Sequence, residues 1–285
     1  MAQFPRTRVG DLSLSRLVIG TNWFLSHSHC TPAKNKLIAS VAGDSRSMAD
    51  VIEAFFAAGV DTIIGNICCS NLADAIREAE DRTGVRGIVI STPSLPVTRE
   101  TPVSGFDRGE TERILDEHAR LGTAVCMPHT STTDVMVDRC TREVRKMDAV
   151  CAMIRERGMV PGLSTHLPET IVYSDESGLD VETYVCIYNA MGFLMPLEVD
   201  WTARIINEAR KPVLTIKPMA AGQIRPFQGL NFVWNTIREQ DMVAVGTMTA
   251  DEAKELIGLS LSILSRHPAE TELQETRSKA SVRRS

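Results

Sequence analysis

Eight short apolar runs, each separated from the next by a helix-patterned stretch, constrain this chain more than any other feature. They are RLVIG (16–20), VDTIIG (60–65), GIVIS (87–91), TAVCM (123–127), VPGLS (160–164), TYVCI (183–187), VLTI (213–216) and MVAVG (242–246). The runs are rich in Val and Ile and mostly lack polar alternation, the pattern of parallel strands covered on both faces. Helical spacing of apolar residues marks 47–59, 71–84, 110–122, 141–158, 199–210, 230–239 and 249–264. Several of these stretches end in Gly, where a left-handed cap is easy. The last opens with Thr249 and has Glu252 three residues on, the spacing of a capping box. Only 168–177 is weak and promises a short helix at best. Strict alternation of eight strands with about eight helices predicts an α/β fold, a (β/α)8 TIM barrel in one domain spanning 1–285. A doubly wound open sheet is the alternative, but no GxGxxG follows the first strand.

The bulk properties agree with one large core. The chain has 285 residues, 43% of them apolar and 24% charged, within the ordinary globular range. A net charge of −5 gives no basic footprint for nucleic acid. No run approaches the ~18 apolar residues of a membrane helix. Seven scattered cysteines without a CxxC pair, and no basic-plus-apolar leader at the start, lead us to expect a cytoplasmic protein with reduced thiols. The basic end, about 268–285, is expected to be a flexible tail.

Four stretches carry a resemblance. RTRVGDLSLSRLVIGT (6–21) resembles the opening of the aldo-keto reductases, in which a short hairpin plugs the barrel floor before the first strand. GLSTH (162–166), IKPMAAG (216–222) and VAVGTMTADEAKEL (243–256) resemble the fifth strand end, the seventh-strand turn and the eighth strand with its helix. The resemblance implies a barrel with a short N-terminal hairpin, a nicotinamide cofactor (NADP or NAD) and carbonyl–alcohol redox chemistry. It also implies a catalytic set of Asp, Tyr, Lys and His. Here the chain departs from the pattern. In GVDTIIGNICCSN (59–71) the Asp and Tyr positions hold Ile64 and Cys69, or Asp61 and Asn66 in a shifted register. STPS (91–94) holds no Lys, and His129 alone matches.

The chemistry available at the strand ends is therefore unusual. His129 follows the fourth strand directly, where a barrel side chain serves function more often than packing. It suits carbonyl polarisation, acid–base work or metal ligation. His166, after the fifth strand, is the weaker partner, and Tyr188, after the sixth, is a candidate proton donor alongside water. Lys217 ends the seventh strand. It sits before Pro218, which favours extended backbone. Three readings stay open for it: a lysine snorkelling at the rim, a residue of the cofactor turn, or a Schiff-base amine. Its charge suits an anionic ligand. The AAG turn and the start of the last helix favour phosphate, because free N–H groups point outward there. Asn22, Ser164, Lys217, Gly222, Thr247 and Thr249 are the cofactor-side candidates.

His27 and His29, in SHSHC, form an HxH pair that in a metal-dependent hydrolase would join His129 and His166 around a divalent ion. The pair lies about seven residues past its strand, and solvated loop histidines are the plainer reading. Cys68 and Cys69 read as thiolates or as small fillers. His118 and His267 read as surface residues. With aromatic residues at 5%, no stacking platform for a base stands out. The function expected is a nicotinamide-dependent carbonyl/alcohol oxidoreductase with a nonstandard active site, acting on a small polar metabolite. The alternatives are a metal-assisted lyase or hydrolase on the same scaffold, and a binding barrel without catalysis.

Overall fold

The computed structural model describes residues 3–268 and 276–281. It begins with an antiparallel hairpin, β1 (Arg6–Val9) and β2 (Leu12–Ser15), paired from Arg6↔Ser15 to Val9↔Leu12. The barrel follows: β3 (Leu17–Gly20), helices α1 (Pro32–Ala42) and α2 (Ser45–Phe56), β4 (Thr62–Gly65), α3 (Ser70–Thr83) and β5 (Ile88–Ser91). Next come the single turn α4 (Thr101–Ser104), α5 (Arg108–Arg120), β6 (Thr123–Cys126) and the short α6 (Thr130–Thr133). A small hairpin, β7 (Val137–Asp138) and β8 (Glu143–Val144), precedes α7 (Met147–Glu156). The rest runs β9 (Val160–Pro161), β10 (Leu163–Ser164), α8 (Glu169–Ser177), β11 (Tyr184–Ile187), α9 (Val199–Glu208), β12 (Val213–Ile216), α10 (Pro226–Thr236), β13 (Met242–Val245) and α11 (Ala250–Ser265).

The strands of the main sheet are all parallel, in the order β10-β11-β12-β13-β3-β4-β5-β6-β9. β9 and β10 are two halves of one fifth strand, so the sheet closes into the eight-stranded barrel read from the sequence. The break falls at Gly162. Its N–H donates to Cys126 O on one side (3.1 Å), while Leu163 N turns to Thr183 O on the other (3.1 Å). A side chain at 162 would stand 2.8 Å from Thr183 O and 3.0 Å from the Met127 methyl, so only glycine lets the strand change partners there.

Two apolar layers hold the barrel. The inner one stacks Val18, Ile64, Ile90, Val125, Val185 and Leu214 from successive strands, and the hairpin adds Val9 and Leu14, both fully buried against it. The hairpin therefore closes the floor and forces any ligand to the other end. The outer layer packs strand backs against the helices, with Ile52, Phe55, Leu72, Leu115, Ile154 and Val233 among its members.

Two expectations are corrected. The helix read over 141–158 begins only at Met147, because 137–144 pairs as the β7/β8 hairpin and Arg142 and Lys146 take positive φ (59° and 58°). Helix α1 inside the first loop was not expected. Thr31 caps it by accepting from Lys34 N, but its weak apolar face gives little periodic signal. Helix α8, nine residues at 169–177, is the short helix anticipated there. The tail expected over 268–285 falls largely outside the described residues, which include the single turn α12 (Arg277–Ala280). Among the described residues no helix is long and apolar enough to cross a membrane.

Candidate active site

A cavity of about 510 Å³ opens at the C-terminal ends of the strands, opposite the hairpin. His27, His29, His129, His166 and Lys217 all line it, so five side chains from four separate loops converge on one space. Asn22, Ser164, Gly222 and Thr247 line it as well.

His129 is held by its own loop. It N-caps α6, and the Ser131 backbone N–H donates to its Nδ1 (3.2 Å), with the Ser131 hydroxyl 2.8 Å from the same atom. Nδ1 is thus the acceptor, and in the neutral ring the proton sits on Nε2. Burial, countered by Asp134 and reinforced by the Lys217 charge, lowers the His129 pKa, so the neutral ring is the form present near pH 7. His166 is lowered further, to about 4, by burial first and then by the Lys217 charge. Partial desolvation beside Lys217 lowers His29 too.

Asp134 ties together the loops that carry His129 and His166 and was missed in the sequence. Its carboxylate accepts from the hydroxyls of Thr130 (2.6 Å) and Thr165 (2.5 Å) and from His166 N (3.2 Å). It therefore locks the loop after β6 to the end of β10. The only signal was a carboxylate four residues after a threonine in the small-residue stretch TSTTD (130–134), which does not stand out from ordinary turns.

Lys217 does not follow its extended expectation. Its φ is 62°, and its carbonyl accepts from Ala220 N (2.9 Å) as the chain reverses through residues that also take positive φ, Ala220 (47°) and Ala221 (56°). Such conformations cost of order 1–3 kcal/mol for a non-glycine residue and persist where the surroundings dictate them. The turn leaves the Lys217 side chain against the cavity wall, with no hydrogen bond or ion pair among the described residues. Burial lowers its pKa to about 8.

The remaining candidates separate. Tyr188 is corrected: its phenol is buried and donates to Thr236 Oγ1 in α10 (3.0 Å), packed on Phe232, and it does not line the cavity. Strand alternation explains this, since Val185 faces inward and the residues one and three positions on face the helices. Thr249 is exposed and accepts from Glu252 N (3.2 Å), while Glu252 accepts from Met248 N (2.8 Å). Thr249 caps α11 as read, but the return bond of Glu252 goes to Met248 N, one residue before the cap, and Thr249 does not line the cavity. Asn189 is spent on its own loop, bonding Phe193 N and O. Cys68 and Cys69 do not line the cavity. The Cys68 Sγ stands 3.3 Å from His118 Nε2, and burial raises its thiol pKa. His118 is accordingly buried, against the surface expectation. All seven cysteines are free of disulfides. Among the described residues no group of three or more His, Cys, Asp or Glu side chains is arranged to hold a metal ion, so the histidines share a cavity without forming a ready ligand set.

Two useful residues escaped the sequence reading. Trp23 lines the cavity from the loop after β3, with Lys34 Nζ 5.3 Å from its ring centre, and supplies the aromatic surface that composition hid. Arg225, at the start of α10, lines it with an exposed guanidinium that has no carboxylate partner among the described residues. Across the mouth, the Cys30 thiol donates to Ala221 O (3.2 Å), joining the first loop to the β12 turn.

No family model matches the sequence. No curated protein matches it either. Solved structures do. A Pseudomonas aeruginosa protein assigned to the aldo-keto reductases superposes with a TM-score of 0.63 at 16% identity, covering 91% of this chain and 96% of its own. An aldo-keto reductase from Brucella melitensis gives 0.57 at 12% identity, with 93% and 98% covered. A chain of the Amycolatopsis orientalis BexX/CysO complex gives 0.54 at 15% identity, with 96% and 100% covered. At these identities the likeness is one of fold: the chain has the barrel architecture of the aldo-keto reductases over nearly its whole length.

Proposed function

We propose that this chain is a nicotinamide-dependent oxidoreductase that interconverts a small carbonyl compound and its alcohol, with NADP(H) or NAD(H) held in the mouth cavity. The reading is carried by His129, whose Nε2–H is set by its Ser131 contacts to meet a carbonyl oxygen in a cavity that is closed at the floor. A neutral imidazole N–H polarises a carbonyl by hydrogen bonding without first giving up its proton.

The residues present suit the cofactor. The Thr247 hydroxyl is buried in the cavity wall with no partner among the described residues, the kind of orphan a bound ligand satisfies. Trp23 offers a ring for stacking, Arg225 a guanidinium for a phosphate, and Asn22, Ser164 and Gly222 line the same cavity. When bound, the nicotinamide supplies the hydride. His129 orients and polarises the carbonyl, His166 lines the same cavity as a neutral ring, and Lys217 adds positive charge for an anionic substrate group. With Tyr188 turned away, the proton comes from water entering the open mouth. A reducing compartment such as the cytoplasm fits the seven free thiols.

The test is a screen of small aldehydes and ketones for NADPH or NADH consumption, repeated with His129→Ala. Turnover that drops at least 30-fold in kcat/KM in the variant is expected. Undiminished turnover in His129→Ala removes the proposed mechanism.

A further inference from the structure

The redox reading uses Lys217 only as a charge, yet several independent features make its amine itself the unusual group of the cavity. The side chain ends a barrel strand and lines the cavity. Its backbone is held at φ 62° by the reversal through Ala220 and Ala221. Neither a carboxylate nor a carbonyl engages its nitrogen among the described residues, whereas surface cations here are commonly paired, Lys211 with Glu182 (2.9 Å) and Lys254 with Asp251 (3.2 Å). The groups around it are imidazoles. His29, His129 and His166 share its cavity, and Lys217 influences the titration of all three.

We propose that Lys217 forms a covalent imine with small aldehydes and ketones that carry a carboxylate, with Arg225 anchoring that carboxylate. In the first step the neutral Nζ lone pair adds to the carbonyl carbon. A C–N bond forms, the carbonyl π pair moves to oxygen, and a proton passes from nitrogen to that oxygen through a neighbouring imidazole, giving a carbinolamine. In the second, the remaining N–H proton passes through the imidazole to the hydroxyl, the nitrogen pair so freed forms C=N, and the C–O bond breaks as water leaves. Amine and carbonyl thus become imine and one water, with no change of oxidation state and no co-reactant. Compounds of this class carry one group for each of two cations that line the cavity unpaired among the described residues, a carbonyl for the Lys217 amine and a carboxylate for the Arg225 guanidinium.

The desolvated amine also has the right reactivity. With a pKa near 8 against an ordinary 10.5, its free-amine fraction at pH 7 is roughly 300-fold that of a solvated lysine. The titratable and charged groups that line the same cavity are His27 and His29 from the first loop, His129 and His166 from the fourth and fifth, Arg225 from the start of α10, and Glu252 and Glu255 from α11.

The experiment needs no nicotinamide, and its first comparison needs no variant. Full-length protein is incubated at pH 7 with glyoxylate, pyruvate or glycolaldehyde plus cyanoborohydride, digested, and the adducts are mapped by mass spectrometry. Lys217 is expected to be trapped at least ten-fold faster than the exposed Lys36. The two oxoacids should outpace glycolaldehyde, and the rate at Lys217 should reach half its maximum near pH 8. Arg225→Ala should remove the preference for the oxoacids while leaving Lys36 unchanged. Labelling at Lys217 no faster than at Lys36 with all three probes overturns the proposal, and a preference that survives Arg225→Ala overturns the anchor. Neither result bears on cofactor binding, so the redox reading stands or falls separately.

Discussion

Lys217 and His129 are where the account is most exposed at the scale of single residues. Burying an ammonium without a counter-charge opposes folding, and the sign can be worked out. The folded pKa, about 8, lies below the ordinary value near 10.5, so the unfolded chain holds more protons between those two values and stability rises with pH across that window. Lys217→Met should therefore stabilise the protein at pH 7 by at most about 3 kcal/mol. The gain should be full below pH 8, shrink between about pH 8 and 10.5 and be gone above that window, as read from urea unfolding at several pH values. A variant less stable than the parent at pH 7 would contradict the burial of an unpaired charge. For His129→Ala the expected loss of transition-state stabilisation is about 2 kcal/mol or more. Lys217 was legible as a strand-end lysine, but its positive φ was not, because Pro218 argues for extended geometry and only the tertiary turn overrides it. Tyr188 was placed in the site because sequence shows where a strand ends but not which face its last residue takes.

At the scale of elements, three devices position the site. The first is the floor hairpin. Leu14 is fully buried in the inner layer, and Leu14→Ala should cost about 2–5 kcal/mol in chemical unfolding while leaving the mouth intact. The second is the split fifth strand, which depends on Gly162 and turns Ser164 and His166 to the cavity. The third is the Asp134 clamp. Removing its carboxylate in Asp134→Ala leaves the Thr130 hydroxyl and the His166 N–H without their acceptor and the Thr165 hydroxyl with only its longer bonds to Leu167 O and Thr170, at a cost of about 3 kcal/mol. The same change should also lower turnover, because it unties the His129 loop from the His166 loop. Strands and most helices were legible because their apolar periods are long and uninterrupted. The β7/β8 hairpin was not, since its strands are two residues each and it packs on the distant α8, and helix α1 was not, since its apolar face is weak.

For the whole molecule, the barrel was readable from alternation alone, and the closed floor from a few residues of hairpin. The mouth was readable only in part. His129, His166, Lys217, Asn22 and Thr247 meet there, while Trp23 and Arg225 join them from loops whose sequence carries no motif. Function follows from what this assembly binds, and Trp23 reports on it directly. The decisive measurement is a titration of the purified protein with NADPH and with NADH, following tryptophan fluorescence in the parent and in Trp23→Phe. The account predicts saturable quenching at micromolar cofactor in the parent, largely lost in Trp23→Phe. No quenching up to millimolar concentrations of either cofactor would contradict the redox reading and leave a reductase-shaped barrel with other chemistry.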